Sequence, residues 1–153
     1  MKKFFIVIGT IFILISCFYY YDKNIRYGEP TLVKVLDLND GHFYDNAKFE
    51  KKVVYGKTKE GFGLYDVIIS ESNDSIQSLD SYNKKLEHYK LNTNGAVSYS
   101  DVEIPGGTMF VVDYGDKGSF FVVHHNTINA EITSKIDAES TKSFIKWLIR
   151  YQL

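Results

Sequence analysis

The hydrophobic pattern is densest at the start. After Lys2 and Lys3 come eighteen uncharged residues, Phe4 to Tyr21 (FFIVIGTIFILISCFYYY), closed by Asp22 and Lys23. At about 1.5 Å per residue such a helix is about 27 Å long, enough for the hydrocarbon core of a bilayer. The pattern predicts a membrane-spanning helix with Lys2 and Lys3 on the cytoplasmic side. The remaining 132 residues then lie outside, and Tyr19, Tyr20 and Tyr21 occupy the aromatic belt of the outer headgroup layer.

Beyond the apolar run the period changes. Asp22 to Pro30 is polar and reads as a stalk. Thr31 to Leu38 has strand composition, followed by turn chemistry at Asn39-Asp40-Gly41. No period stands out from Gly41 to Glu50. Lys51–Lys57 and Phe62–Ser70 read as a hairpin around Thr58-Lys59-Glu60-Gly61, with Tyr65, Val67 and Ile69 on one side and Leu64 and Ile68 on the other.

A helix follows, capped at Asn73-Asp74-Ser75 and stopped at Asn94-Gly95. Ile76, Leu79, Tyr82, Leu86 and Tyr89 are its expected core stripe, with Lys84, Lys85, Glu87 and His88 on the wet side. Four more strands are expected at Ala96–Ile104, Thr108–Tyr114, Ser119–His124 and Thr127–Ser134. Pro105-Gly106-Gly107 and Gly115-Asp116-Lys117-Gly118 separate the first three. Asp137 caps a closing helix with Glu139 in its first turn. Phe144, Trp147, Leu148 and Tyr151 form the buried edge of that helix, while Lys142, Lys146 and Arg150 line another.

This order predicts an α+β fold: an N-terminal transmembrane helix, then a two-layer sandwich of an antiparallel sheet and two helices. The divisions are 1–21 (membrane anchor), 22–30 (stalk) and 31–153 (extracytoplasmic domain). No parallel βαβ order is present, so no nucleotide-binding switch point is expected.

Charge and cysteine content narrow the function. The whole chain carries 18 basic and 19 acidic residues; setting aside Lys2 and Lys3 leaves 16 against 19, so the outer domain is mildly acidic at −3. That argues against nucleic acid as a partner. The single cysteine excludes an internal disulfide. Cys17 ends Leu14-Ile15-Ser16-Cys17, which is similar to a lipoprotein processing site and makes Cys17 a candidate for lipidation. A retained anchor uses Phe18 to Tyr21 better, and no Ala-x-Ala precedes a cleavage point for release.

Candidate chemistry is sparse. Asp37-Leu38-Asn39-Asp40-Gly41 misses calcium-loop spacing, because Gly41 already fills the fifth place. G-x-S-x-G, H-E-x-x-H, P-loop and C-x-x-C motifs do not occur, so a non-enzymatic protein without cofactor or metal is expected. The unusual feature is His124-His125 at a strand end. Adjacent strand residues point to opposite faces and cannot chelate one metal together. The expectation is one histidine at the core rim and one in solvent, with a proton sensor as the sharper alternative. Protonating His42, His88, His124 and His125 would take the outer domain from −3 to +1.

Met1-Lys2-Lys3, the segment Phe4 to Tyr21 and one cysteine-free outer domain together resemble the small single-pass proteins that accompany ToxR-like membrane-bound transcription regulators in enteric bacteria, the MyfF and PsaF type. The resemblance implies a bacterial inner-membrane protein whose periplasmic domain pairs with that of a regulator and helps it respond to acidity or temperature. It assigns no functional residue. The order of hairpin, helix, meander and terminal helix also resembles PsbP-like domains, a likeness of fold alone. The alternative reading is an envelope lipoprotein or anchored immunity protein that binds a toxin.

Overall fold

The computed structural model describes residues 2–21, 30–38, 43–45, 47–56 and 63–153. The expected stalk and the turns at Asn39-Asp40-Gly41 and Thr58-Lys59-Glu60-Gly61 fall outside these residues. The elements run α1 (Lys2–Tyr20), β1 (Leu32–Asp37), β2 (Ala47–Tyr55), β3 (Tyr65–Ser72), α2 (Ser75–Leu91), β4 (Ser98–Ile104), β5 (Gly107–Asp113), β6 (Ser119–His125), β7 (Ile128–Ser134) and α3 (Ala138–Tyr151). Contacts divide the chain into two compact units, Met1–Glu29 with Ser143–Gln152, and Pro30–Lys142 with Leu153.

The larger unit is built on a seven-stranded sheet in the order β1-β2-β3-β7-β6-β5-β4, antiparallel at every pairing. The α+β class and the antiparallel sheet agree with the sequence pattern. β4 to β7 form the expected meander. Ile104-Pro105-Gly106-Gly107 makes its first turn as the residues require: proline fixes the second position, and Gly106 takes a φ of +80° at the third. Gly107 tolerates no side chain, since a Cβ there would stand 1.8 Å from the His124 carbonyl oxygen.

β2 begins at Ala47, four residues before the predicted start. A register irregularity between Ala47 and Phe49 breaks the alternation that would have marked it in the sequence. β3 alternates as predicted, with Tyr65, Val67 and Ile69 buried. Val67 pairs with Ile132, which pairs in turn with Phe121. With Val53, Ile69, Ala130 and Val123 they form one continuous buried apolar face.

α2 covers the other face, packing on β6, β3 and β7. Asp74 is its N-cap and accepts from the Gln77 N–H at 2.8 Å. Its expected stripe is only half correct. Tyr82 is buried against Phe110, Val112 and Val122, with Leu86 and Tyr89 packed alongside, but Ile76 is 80% and Leu79 41% exposed. The inward residues are instead Ser78, Ser81 and Tyr82. The helix is thus turned by roughly a sixth of a revolution from the apolar stripe. The physical reason is the sheet below it, which presents polar groups that serine can satisfy at close approach and isoleucine cannot.

α3 starts in the larger unit. Asp137 caps it, accepting from the Ser140 N–H and hydroxyl at 2.9 and 2.7 Å, and Thr141 joins Ser134 at 2.8 Å. In the smaller unit α3 buries Phe144, Ile145, Trp147 and Leu148, as the sequence predicts for three of them. There too, Tyr19 of α1 meets Tyr151 edge-on with ring centres 5.7 Å apart. The described side chains of α1, from Ile8 to Tyr20, are all exposed, as is Tyr21 after it. Among the described residues no helix is long and apolar enough to cross a membrane, so the transmembrane helix expected over Phe4 to Tyr21 finds no support there.

Candidate functional site

Cross-strand register assembles a polar row beneath α2. Glu50 stands opposite Ser70, Ser70 opposite Asn129, Asn129 opposite His124, and His124 opposite Thr108. Side chains directly opposite one another share a face, so the row runs across five strands. Glu50, Ser70, Asn129 and His124 are all buried.

His124 is held at Nδ1, which lies 3.1 Å from Asn129 Oδ1 and 3.2 Å from the Ser78 hydroxyl. The Asn129 amide nitrogen donates to the Ser78 carbonyl at 2.8 Å, which leaves Oδ1 as an acceptor toward the ring. Nδ1 therefore carries the proton. Burial draws the His124 pKa below 6.5, with a smaller push down from His125, while the Asn129 bond opposes the shift. The folded protein favours the neutral ring. A serine beside a histidine suggests a nucleophile and its base, but a protonated Nδ1 cannot take the Ser78 proton, and Ser78 has no exposed surface. This pair fastens α2 to the sheet.

One row over, Glu131 accepts from the Tyr89 hydroxyl at 2.7 Å and has the Lys85 amine 3.5 Å away. Burial, and then the Glu131 carboxylate, raise the Tyr89 hydroxyl above its ordinary range; the same two causes raise fully buried Tyr44. Burial pushes Tyr82 up to about 12. Glu50 accepts the backbone N–H groups of Phe43 and Tyr44 at 2.6 and 2.7 Å, and Ser81 donates to the Asp45 carbonyl at 2.6 Å. Residues 43–45 are thereby sewn to both layers. Lys85 completes the cluster by lying over the Phe43 and Tyr44 rings. Beside it is a small cleft of about 130 Å³ lined by Asp45, Ser81, Lys84, Lys85 and His88. A more open groove of about 320 Å³ lies among Tyr89, Tyr114, Lys117 and Phe120.

The histidine pair divides as strand geometry requires. His124 is buried, and His125 is half-buried, with Nδ1 3.4 Å from the Asn126 amide nitrogen. His88 is exposed on α2, and His42 lies outside the described residues. Cys17 is an exposed free thiol on α1. Among the described residues, no three His, Cys, Asp or Glu side chains stand together as a metal site needs. Sequence reasoning missed Glu50, Ser78, Asn129 and Glu131. Asn129 and Glu131 alternate with Ala130 and Ile132, a pattern that ordinarily marks a wet face; α2 is what makes it dry.

Compared with known proteins, the chain matches no family model, and no curated sequence is detectably similar to it.

Proposed function

We propose that this is a membrane-tethered, non-enzymatic binding protein. Its α+β domain stands outside the cytoplasmic membrane and tunes a membrane protein partner of the ToxR-like regulator type, in a manner that responds to pH. The observation that carries the tether is α1. Phe12, Ile13, Leu14, Ile15 and Phe18 are each more than three-fifths exposed within a run of eighteen uncharged residues, and such a surface calls for lipid around it. For the partner, β1 supports the reading: it is an edge strand, and all six of its residues are exposed. For the pH response, support comes from His124, buried at the joint between α2 and the sheet.

Carbonate extraction of membranes from expressing cells tests the tether. The full chain is expected in the pellet, with its C-terminal domain open to protease added from outside. Recovery in the soluble fraction would overturn the reading. The exposed Cys17 favours one alternative, a lipoprotein, with toxin binding as its role. Intact mass separates the two. The tether predicts an unacylated chain beginning at the N-terminus; an acylated chain beginning at Cys17 replaces it.

A further inference from the structure

β4 closes one margin of the sheet and, among the described residues, is paired on one side only, with β5. Its register runs from Ser98–Asp113 to Ile104–Gly107 without a shift, and no proline interrupts it. The margin at β1 is less regular, since its register shifts between Leu32 and Lys34. Six of the seven β4 residues are exposed, Tyr99 by 63%. An edge this regular and this bare can take another strand. The turn at Pro105-Gly106 fixes which backbone atoms it offers. Ile104 and Gly107 close a two-residue hairpin, so Ile104 turns its backbone groups toward β5. Val102 and Ser100 do the same by alternation, which leaves the groups of Tyr99, Asp101 and Glu103 facing outward.

We propose that the strand β4 receives is β4 of a second copy of this chain, antiparallel about a two-fold axis at Ser100. The proposal uses neither the tether nor the regulator partner. Symmetry and charge select the register. A two-fold antiparallel pairing must set one residue opposite its own copy, because pairs that exchange hydrogen bonds alternate with pairs that do not. Centring on Asp101 or Glu103 sets an acid opposite itself, and centring on Val102 sets Asp101 opposite Glu103 twice; like charges so placed are unfavourable. Centring on Tyr99 needs Val97, whose N–H is already turned back to the Asp113 carbonyl at 2.7 Å. Centring on Ser100 sets Tyr99 opposite the partner's Asp101, and Ser98 opposite the partner's Val102. The two Asp101 carboxylates then stand about 8 Å apart, and each keeps its own Lys90 ammonium at 2.7 Å. Five pairs bury little area, so the dimer belongs to the weak, exchanging class.

The test uses the full chain in mild detergent on a Cys17→Ser background, so that an introduced thiol is alone. Ser100→Cys should oxidise to a disulfide dimer, because residues opposite one another in a pair without hydrogen bonds stand close enough to bridge. Tyr99→Cys and Asp101→Cys, each remote from its own copy, should link about tenfold more slowly. Light scattering without oxidant should show the native mass rising toward a dimer with concentration. Tyr99→Asp sets an acid opposite the partner's Asp101 and should weaken the dimer about tenfold; adding Asp101→Asn should restore it. A chain that stays monomeric, a Ser100→Cys chain that links no faster than Asp101→Cys, or a dimer indifferent to Tyr99→Asp would overturn the pairing. So would a ladder of larger species, the product expected if β4 docks on β1 of the next copy.

Discussion

One face of the sheet is buried by apolar packing throughout, whereas the other sets a row of buried polar groups beside the apolar patch of Phe110, Val112 and Val122. One is apolar across β2, β3, β7 and β6, through Val53, Val67, Ile69, Ala130, Ile132, Phe121 and Val123. The other, beneath α2, carries Glu50, Ser70, Asn129, His124 and Glu131 among its buried residues. Apolar burial stabilises in proportion to area, and any side chain of the right volume serves. A buried polar group stabilises only when its own partner is in place, and it costs free energy when the partner is absent. The first face gives the sheet its cohesion; the second sets where α2 sits, because Ser78 and Asn129 meet in only one register.

Substitutions should separate these roles. The largest effect is expected on the apolar face: Phe121→Ala should cost about 3 to 5 kcal/mol in urea unfolding, by the same amount at pH 5 and pH 8. A pH-dependent loss would mean that this face too is coupled to a titrating group. On the polar face, Glu50→Ala removes the acceptor of two backbone N–H groups and should cost about 2 to 3 kcal/mol. Hydrogen exchange should show amide protection lost at Phe43 and Tyr44, and unchanged exchange there would remove Glu50 from the account.

The pH response of the polar face comes next. His124 has its folded pKa held below the ordinary 6.5, so the unfolded chain takes up the proton first. Its contribution is complete above about pH 7 and is lost as pH falls through 6.5 toward the lower folded value, by at most about 1.4 kcal/mol per pH unit for one proton. Melting temperatures from pH 8 to 5 should decline in the native chain and decline less in His124→Gln. Coincident curves for the two would remove His124 as the source. Smallest of all, Tyr89→Phe should cost about 1 kcal/mol by deleting the hydroxyl donor to Glu131. It should also flatten the alkaline limb of the stability curve: a hydroxyl raised in the fold holds its proton while the unfolded chain loses it near pH 10, so native stability declines above that value.

The comparison also explains what could be read from the sequence. Strand alternation and turn chemistry mark six of the seven strands closely and both later helices, because each of those signals is local. Asp74, Gly106 and Asp137 do the work expected of them. The polar face was not legible, since Asn129 and Glu131 carry the ordinary signature of solvent and only a helix 38 or more residues earlier converts them to interior. For the same reason Ile76 and Leu79 mislead. Helical spacing identifies an apolar stripe, but it cannot say that the surface awaiting the helix prefers serine. His124 and His125 could be assigned to opposite faces by strand geometry, whereas which of them is buried depends on α2.

Strand order has a kinetic consequence. β4, β5, β6 and β7 pair with one another in chain order, as do β1, β2 and β3, and such contacts close short loops. The junction between β3 and β7 joins partners such as Val67 and Ile132, about 65 residues apart, and its loop must close before any of its contacts form. Two ribbons can therefore assemble early and independently, each with an open edge. Only their docking brings Ser70 opposite Asn129, and α2, threaded between the ribbons in the chain, reaches its serines' partners at that same moment. Refolding speed is thus set at the middle of the sheet, and a chain stalled there exposes two sticky margins, open to pairing with another chain.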